Sequence, residues 1–273
     1  KCEKKRLPYI KGGIQVDKYN IYQQIAKRTN GDIYIGIVGP VRTGKSTFIK
    51  RFMDLLVIPN ISDTFERDRA IDELPQSASG KTIMTTEPKF IPNEAANITV
   101  DGNINLNVRL VDCVGYLVDG ALGHLENDTP RMVATPWFEE KIPFGQAAEI
   151  GTKKVITEHS TIGLVITTDG SITDITREEY VNAEERVIEE MKNTGKPFAI
   201  VLNCKEPTSD DAELLRAHLA EKYSVPVLCV NCTTMSQENI NDIMQTILYE
   251  FPICEIGINI PSWVAGLEYD ESL

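Results

Sequence analysis

Apolar positions along the 273-residue chain change period several times, and each change marks an element. Between Asp17 and Arg28, Ile21, Ile25 and Ala26 keep a helical spacing, and Asn30-Gly31 closes the run as a turn. The next segment, DIYIGIVG, is β-branched and almost wholly apolar, as in a strand covered on both faces. Over 97–112, NITVDGNINLNVRLVD, the period becomes two: Ile104, Leu106, Val108 and Leu110 alternate with Asn105, Asn107 and Arg109. Asp101-Gly102 supplies the turn, so two antiparallel strands are expected there. Further apolar strands follow at 161–167, 198–203 and 225–231.

Helical spacing returns between these strands. Asp174 is the expected cap of a helix running to Asn193, with Val181, Val187, Ile188 and Met191 on one face and Gly195 and Pro197 stopping it. Ser209 caps the next, and Ser236 a last one with an apolar stripe of Ile240, Ile243, Ile247 and Leu248. A further helix starts near Gln146. Strands alternating with helices predict an α/β fold with right-handed crossovers, a mostly parallel sheet with one antiparallel hairpin strand, and helices on both faces.

The first strand runs into Gly39-Pro40-Val41-Arg42-Thr43-Gly44-Lys45-Ser46 and then a helix, FIKRFMDLL. This is G-x-x-x-x-G-K-[ST] in the context it requires. Such a loop wraps a pyrophosphate with inward-pointing backbone N–H groups, its glycines permit close approach, Lys45 brings a cation to the β- and γ-oxygens, and Ser46 offers a hydroxyl to Mg²⁺. Thr47 opens the helix beside them. A second metal-side carboxylate is expected, and Asp112 ends the alternating strand. It opens Asp112-Cys113-Val114-Gly115, a D-x-x-G in which the Gly115 amide can sense the γ-phosphate. Thr85 and Thr86 lie between the phosphate-loop helix and the hairpin; a threonine there can ligate Mg²⁺, and which of the two does so is open.

The order of these parts is that of a P-loop NTPase of the GTPase-like (TRAFAC) type. One position departs from it. Guanine is read by N-K-x-D, whereas this chain has Asn203-Cys204-Lys205-Glu206, so guanine specificity is weakened. Tyr116 also follows D-x-x-G in place of a water-orienting Gln, so hydrolysis needs another water-positioning group or relies mainly on Lys45, Mg²⁺ and backbone donors. Arg42 and Arg131 are candidate cations for the transition state.

Charge and cysteine content narrow the partners. With 28 Lys and Arg against 40 Asp and Glu, the net charge is −12, and nucleic acid is not the expected partner. No run approaches a spanning helix and no signal peptide opens the chain, so a soluble, cytosolic protein is expected. The six cysteines sit mostly in apolar runs, and free thiols are expected. Cys229 and Cys232 form a CxxC with no second pair at zinc spacing. Residues 1–16, KCEKKRLPYIKGGIQV, are locally basic and read as a leader or vector-derived extension outside the fold.

Longer runs are more specific. GPVRTGKSTFIKRFM, DELPQSASGKTIMTTEPKF, RLVDCVGY, AAEIGTKKVITEHSTIGLVITTDG, AEERVIEEMKNTGKPF and YEFPICEIGINIPSWV resemble the N-terminal ATPase region of the stage IV sporulation protein A family, over about Asp17 to Val264. The resemblance implies an ATPase of GTPase-like descent, acting with ATP and Mg²⁺, whose hydrolysis drives self-assembly into the basement layer of the spore coat. It places the family's phosphate-loop lysine on Lys45, its metal carboxylate on Asp112 and its sensor threonines on Thr85 and Thr86. It implies copies of the same chain as partners. Through regions beyond this chain it also implies a small amphipathic membrane-anchoring peptide, other coat proteins, and a mother-cell location at the forespore surface. The expected organisation is a domain over 17–264, with a long insert at 116–160 after D-x-x-G, and a tail at 265–273 of a truncated chain. The alternatives are a GTP-dependent switch and a nucleotide-binding scaffold without turnover.

Overall fold

Asp101 and Gly102 both take left-handed backbone (φ 51° and 75°), which gives the hairpin turn the twist its strands need. The computed structural model describes residues 20–75, 87–118, 125–126 and 129–252. The expected leader and tail, together with Cys2, Thr85, Thr86 and Cys254, lie outside these. Six strands form one sheet, β1 (Asp32–Val38), β2 (Lys89–Val100), β3 (Ile104–Asp112), β8 (Ile162–Thr168), β9 (Phe198–Asn203) and β10 (Val227–Val230), in the order β10-β9-β8-β1-β3-β2. Every pairing is parallel except β2 with β3. The α/β fold read from the sequence is thus the fold observed. β2 starts eight residues before the expected 97, because a register shift between Ile91 and Ala96 interrupts the alternation.

Helices cover both faces. Helices α1 (Ile21–Thr29), α2 (Lys45–Phe52) and α7 (Gln237–Glu250) bury Ile25, Phe48, Phe52, Ile243 and Ile247 against one side. Helices α5 (Arg177–Thr194) and α6 (Asp210–Tyr223) bury Tyr180, Val187, Met191 and Leu219 against the other. Ser209 and Ser236 cap α6 and α7 as expected. Helix α5 is the exception: Thr176, not Asp174, is its cap, because Glu179 stands three residues on and returns a bond to the Thr176 N–H (2.8 Å). A short helix that the sequence pattern did not announce, α3 (Thr64–Asp72), packs on β2.

The insert carries strands of its own: the pair β4 (Leu125–Glu126) and β5 (Thr129–Pro130), then the hairpin of β6 (Met132–Thr135) and β7 (Phe138–Pro143). Helix α4 (Phe144–Lys154) begins two residues before the expected Gln146, since buried Phe144 anchors its first turn. Among the described residues no helix is long and apolar enough to cross a membrane.

One charge is wholly enclosed. Glu184 of α5 has no exposed surface and accepts bonds from Thr167 Oγ1 on β8 (2.5 Å), Arg177 Nη2 (2.7 Å) and Tyr223 Oη on α6 (2.8 Å). It therefore ties three elements together beneath the end of β8. Cys113, Cys204, Cys229 and Cys232 are free thiols. Burial pushes Cys113 up to about 11 and Cys232 to about 12, and Cys204 is raised by holding its proton towards Cys229, whose own pKa falls.

Candidate active site

The loop after β1 is shaped by its two end glycines. Gly39 (φ 143°) and Gly44 (φ 91°) take backbone that side-chain-bearing residues avoid, and a β-carbon would strike the Ile166 carbonyl at Gly39 and Asn203 Nδ2 at Gly44. Arg42 also sits in left-handed backbone (φ 62°). Inside the loop, buried Thr43 donates from Oγ1 to the Pro40 carbonyl (3.0 Å), which fixes the curl that Val41 and Arg42 complete. Gly44 ends at the N-terminus of α2, so the amides of Lys45, Ser46 and Thr47 open that helix where an anion is favoured.

Lys45 is buried, with Nζ donating to the carbonyls of Pro40 (2.6 Å) and Gly39 (3.4 Å). Burial lowers its pKa, against the pull of Cys113 and Asp112. On β3, beside β1, Asp112 accepts the Ser46 hydroxyl on Oδ2 (2.8 Å), while its buried Oδ1 has no partner. Burial raises the Asp112 pKa, against the Ser46 bond and Lys45. Burial thus disfavours the charged form of both groups, a cost that the opposite charges of a bound ligand and metal can relieve. A buried, unpartnered carboxylate oxygen beside a hydroxyl is an oxygen donor set that fits Mg²⁺.

Gly115 and Tyr116 close over the same loop. The Val41 N–H donates to the Tyr116 carbonyl (2.9 Å) and the Tyr116 N–H to the Gly39 carbonyl (3.3 Å). The Tyr116 ring is buried in the core, under the Arg186 guanidinium at 4.8 Å. The position after D-x-x-G therefore joins two loops through its backbone and buries its side chain.

From the other side, buried Asn203 donates from Nδ2 to the Thr43 carbonyl (3.0 Å) and accepts the Cys232 N–H on Oδ1 (3.0 Å). Its amide is spent on holding the loops. Cys204 is buried, so no side chain at the N-K-x-D lysine position lies over a base, and Glu206 is exposed at the rim. The fold thus gathers Gly39 to Thr47, Asp112, Gly115 and Asn203 at one end of the sheet. Arg42 lies near Tyr180, whose burial-raised pKa it lowers. Arg131 stacks on Phe144 at 5.2 Å, within the insert. The Tyr116 clasp and the Cys232 contact were not legible beforehand; an Asn closing an apolar strand was their only signal.

A family model described as the ATPase domain of stage IV sporulation protein A matches residues 16–252. The chain belongs to the stage IV sporulation protein A family. It is 59% identical over 249 residues to the stage IV sporulation protein A of Clostridioides difficile (strain 630), covering 91% of this chain and 51% of that protein. It is 57% identical over 253 residues to that of Bacillus subtilis (strain 168), covering 93% and 51%. For that of Bacillus anthracis the figures are 55% over 252 residues, 92% and 51%. The chain thus spans about half the length of these members of the family, and what it spans carries the family's ATPase domain.

Proposed function

We propose that this chain binds and slowly hydrolyses ATP with Mg²⁺, and that hydrolysis drives assembly of the longer protein with copies of itself into the basement layer of the spore coat. The observation that carries the chemistry is the pairing of buried Lys45, held at the Pro40 carbonyl, with an Asp112 carboxylate whose Oδ1 is unpartnered beside Ser46. The family's description as an ATPase domain supports the choice of nucleotide.

In this reading the amides from Arg42 to Thr47 cradle the phosphates and the Lys45 ammonium meets their β- and γ-oxygens. Ser46 and Asp112 would hold Mg²⁺, which supplies positive charge against the anion developing in phosphoryl transfer. The Gly115 amide senses the γ-phosphate, and Thr85 and Thr86 act as its sensors by resemblance to the family. With Tyr116 buried under Arg186, the position after D-x-x-G orients no water and the rate rests mainly on electrostatic stabilisation, hence slow turnover. The buried Cys204 and rim-exposed Glu206 favour this over a GTP-dependent switch.

Asp112→Asn tests the metal side. Because burial raises the Asp112 pKa, the neutral form is favoured on folding: stability is highest below the carboxyl's unfolded pKa and falls as pH rises through the folded one. Removing the charge at pH 7 without metal should therefore raise the melting temperature. The same variant should lose Mg²⁺-dependent phosphate release. Unchanged turnover would mean that another carboxylate serves the metal.

The insert is the proposed self-association surface, since the β6–β7 hairpin leaves Met132 and Phe138 about half exposed. Its cleavage by protease should differ between ADP and a non-hydrolysable ATP analogue. Equal cleavage would remove it from the assembly step. Partners beyond self-association, namely a small amphipathic membrane-anchoring peptide and other coat proteins at the forespore surface, belong in this proposal to the regions outside the chain.

A further inference from the structure

The two sides of the phosphate loop are chemically different. Asp112, on β3, marks the metal and γ-phosphate side. β8, β9 and β10 lie on the other side of β1, and Asn203 reaches the Thr43 carbonyl from there. A nucleotide whose phosphates fill the loop must therefore lay its base over the ends of β9 and β10, in the crevice that open α/β sheets present at their carboxyl ends. The loop Asn231-Cys232-Thr233-Thr234, after β10, is brought to that place by the bond from the Cys232 N–H to Asn203 Oδ1.

Adenine and guanine differ there at ring position 6. Guanine carries a carbonyl oxygen that needs a donor, and adenine an amino group that needs an acceptor. The backbone N–H groups of Cys232, Thr233 and Thr234 in this loop are already engaged. Cys232 donates to Asn203; Thr233, exposed at the surface, donates to Asn231 Oδ1 (2.9 Å); and Thr234 donates to the Asn231 carbonyl (3.1 Å). Asn231 is itself fixed by donating from Nδ2 to the Lys205 carbonyl (3.1 Å), which belongs to the loop after β9. A 6-oxo base arriving here meets a donor that the protein has already satisfied.

We propose that Asn231 is a specificity-determining residue, selecting a 6-amino over a 6-oxo purine nucleotide by keeping the Thr233 N–H occupied. This rests on the reading of the loop as an ATP site. It differs from the weakened N-K-x-D motif, because it works by withholding a donor: a polar group taken out of water and left unpaired is penalised. Asn231 acts through Thr233 and is a positioning residue.

The test is displacement of a fluorescent ADP analogue by ATP, GTP and ITP, with phosphate release measured on the same samples. ITP has the 6-oxo group without guanine's 2-amino group. For the unaltered chain, ITP should be as poor a competitor as GTP; ITP equal to ATP overturns the proposal without any variant being made. Asn231→Ala should narrow the ATP-to-GTP preference about tenfold, mainly by improving GTP and ITP. Asn231→Asp keeps an acceptor for Thr233 but cannot donate to Lys205, and should preserve the preference. Equal loss of all three nucleotides in Asn231→Ala, or a preference lost equally in both variants, would assign Asn231 to loop structure alone and overturn the proposal. Selective binding without phosphate release would leave this inference standing and overturn only the hydrolysis reading.

Discussion

Lys45→Met should lower ATP turnover by at least about a thousandfold while leaving the nucleotide-free fold as stable as before. The two halves of that expectation have different causes. Turnover falls because the Lys45 ammonium is a cation whose position the phosphate loop fixes, through bonds to the Pro40 and Gly39 carbonyls. Stability holds because burial lowers the Lys45 pKa, so folding favours the neutral amine: the group's favourable contribution is fully present only above its unfolded pKa and is lost as pH falls through the folded one. At neutral pH a methionine fills the slot without a buried charge. A thermal scan in EDTA, repeated with Mg²⁺ and ATP, separates the two. The variant should match the parent in the first scan and lose the ligand-induced rise in the second, and a variant that unfolds early in EDTA would make Lys45 a structural residue.

The second large effect lies away from the phosphates. Glu184→Ala should cost about 3–5 kcal/mol, because it strands the Arg177 guanidinium, which has little exposed surface, and takes the acceptor from Thr167 and Tyr223 at once. Replacing the pair together, as Arg177→Met with Glu184→Leu, should recover much of that loss, since apolar groups of similar volume leave no uncompensated charge. Urea unfolding of the two variants measures both. A loss under about 1 kcal/mol for Glu184→Ala would show that water reaches the site and that the enclosure is incomplete. Thr167 adjoins Ile166, whose carbonyl lies against Gly39, so the network also steadies the end of β8 beside the phosphate loop.

These two residues show what a linear pattern can and cannot carry. Lys45 was legible because a phosphate loop is a contiguous motif whose spacing follows from wrapping a pyrophosphate. The β2–β3 hairpin and Asp112 were legible because a half-buried strand must alternate. Glu184 was not: in AEERVIEE it stands among carboxylates that face water, and only the position of Thr167 and Tyr223, 17 residues earlier and 39 later, buries it. Tyr116 is a similar case. Its identity announced the missing glutamine, but that its backbone clasps Gly39 and Val41 depends on a parallel approach of segments far apart in sequence. The Asp174 cap failed against a local rule, since a threonine with glutamate three residues later outcompetes an aspartate followed at that spacing by Arg177. The insert hairpins were missed because their strands are short and largely exposed, which leaves little alternation to read.

The most direct test of ATP hydrolysis at this site is phosphate release from ATP and from GTP, measured side by side with Mg²⁺ and with EDTA. Slow release from ATP that requires Mg²⁺ and exceeds release from GTP is the predicted result. Preference for GTP would make the chain a GTP-dependent switch, and no release from either nucleotide would make it a nucleotide-binding scaffold; either result contradicts the account.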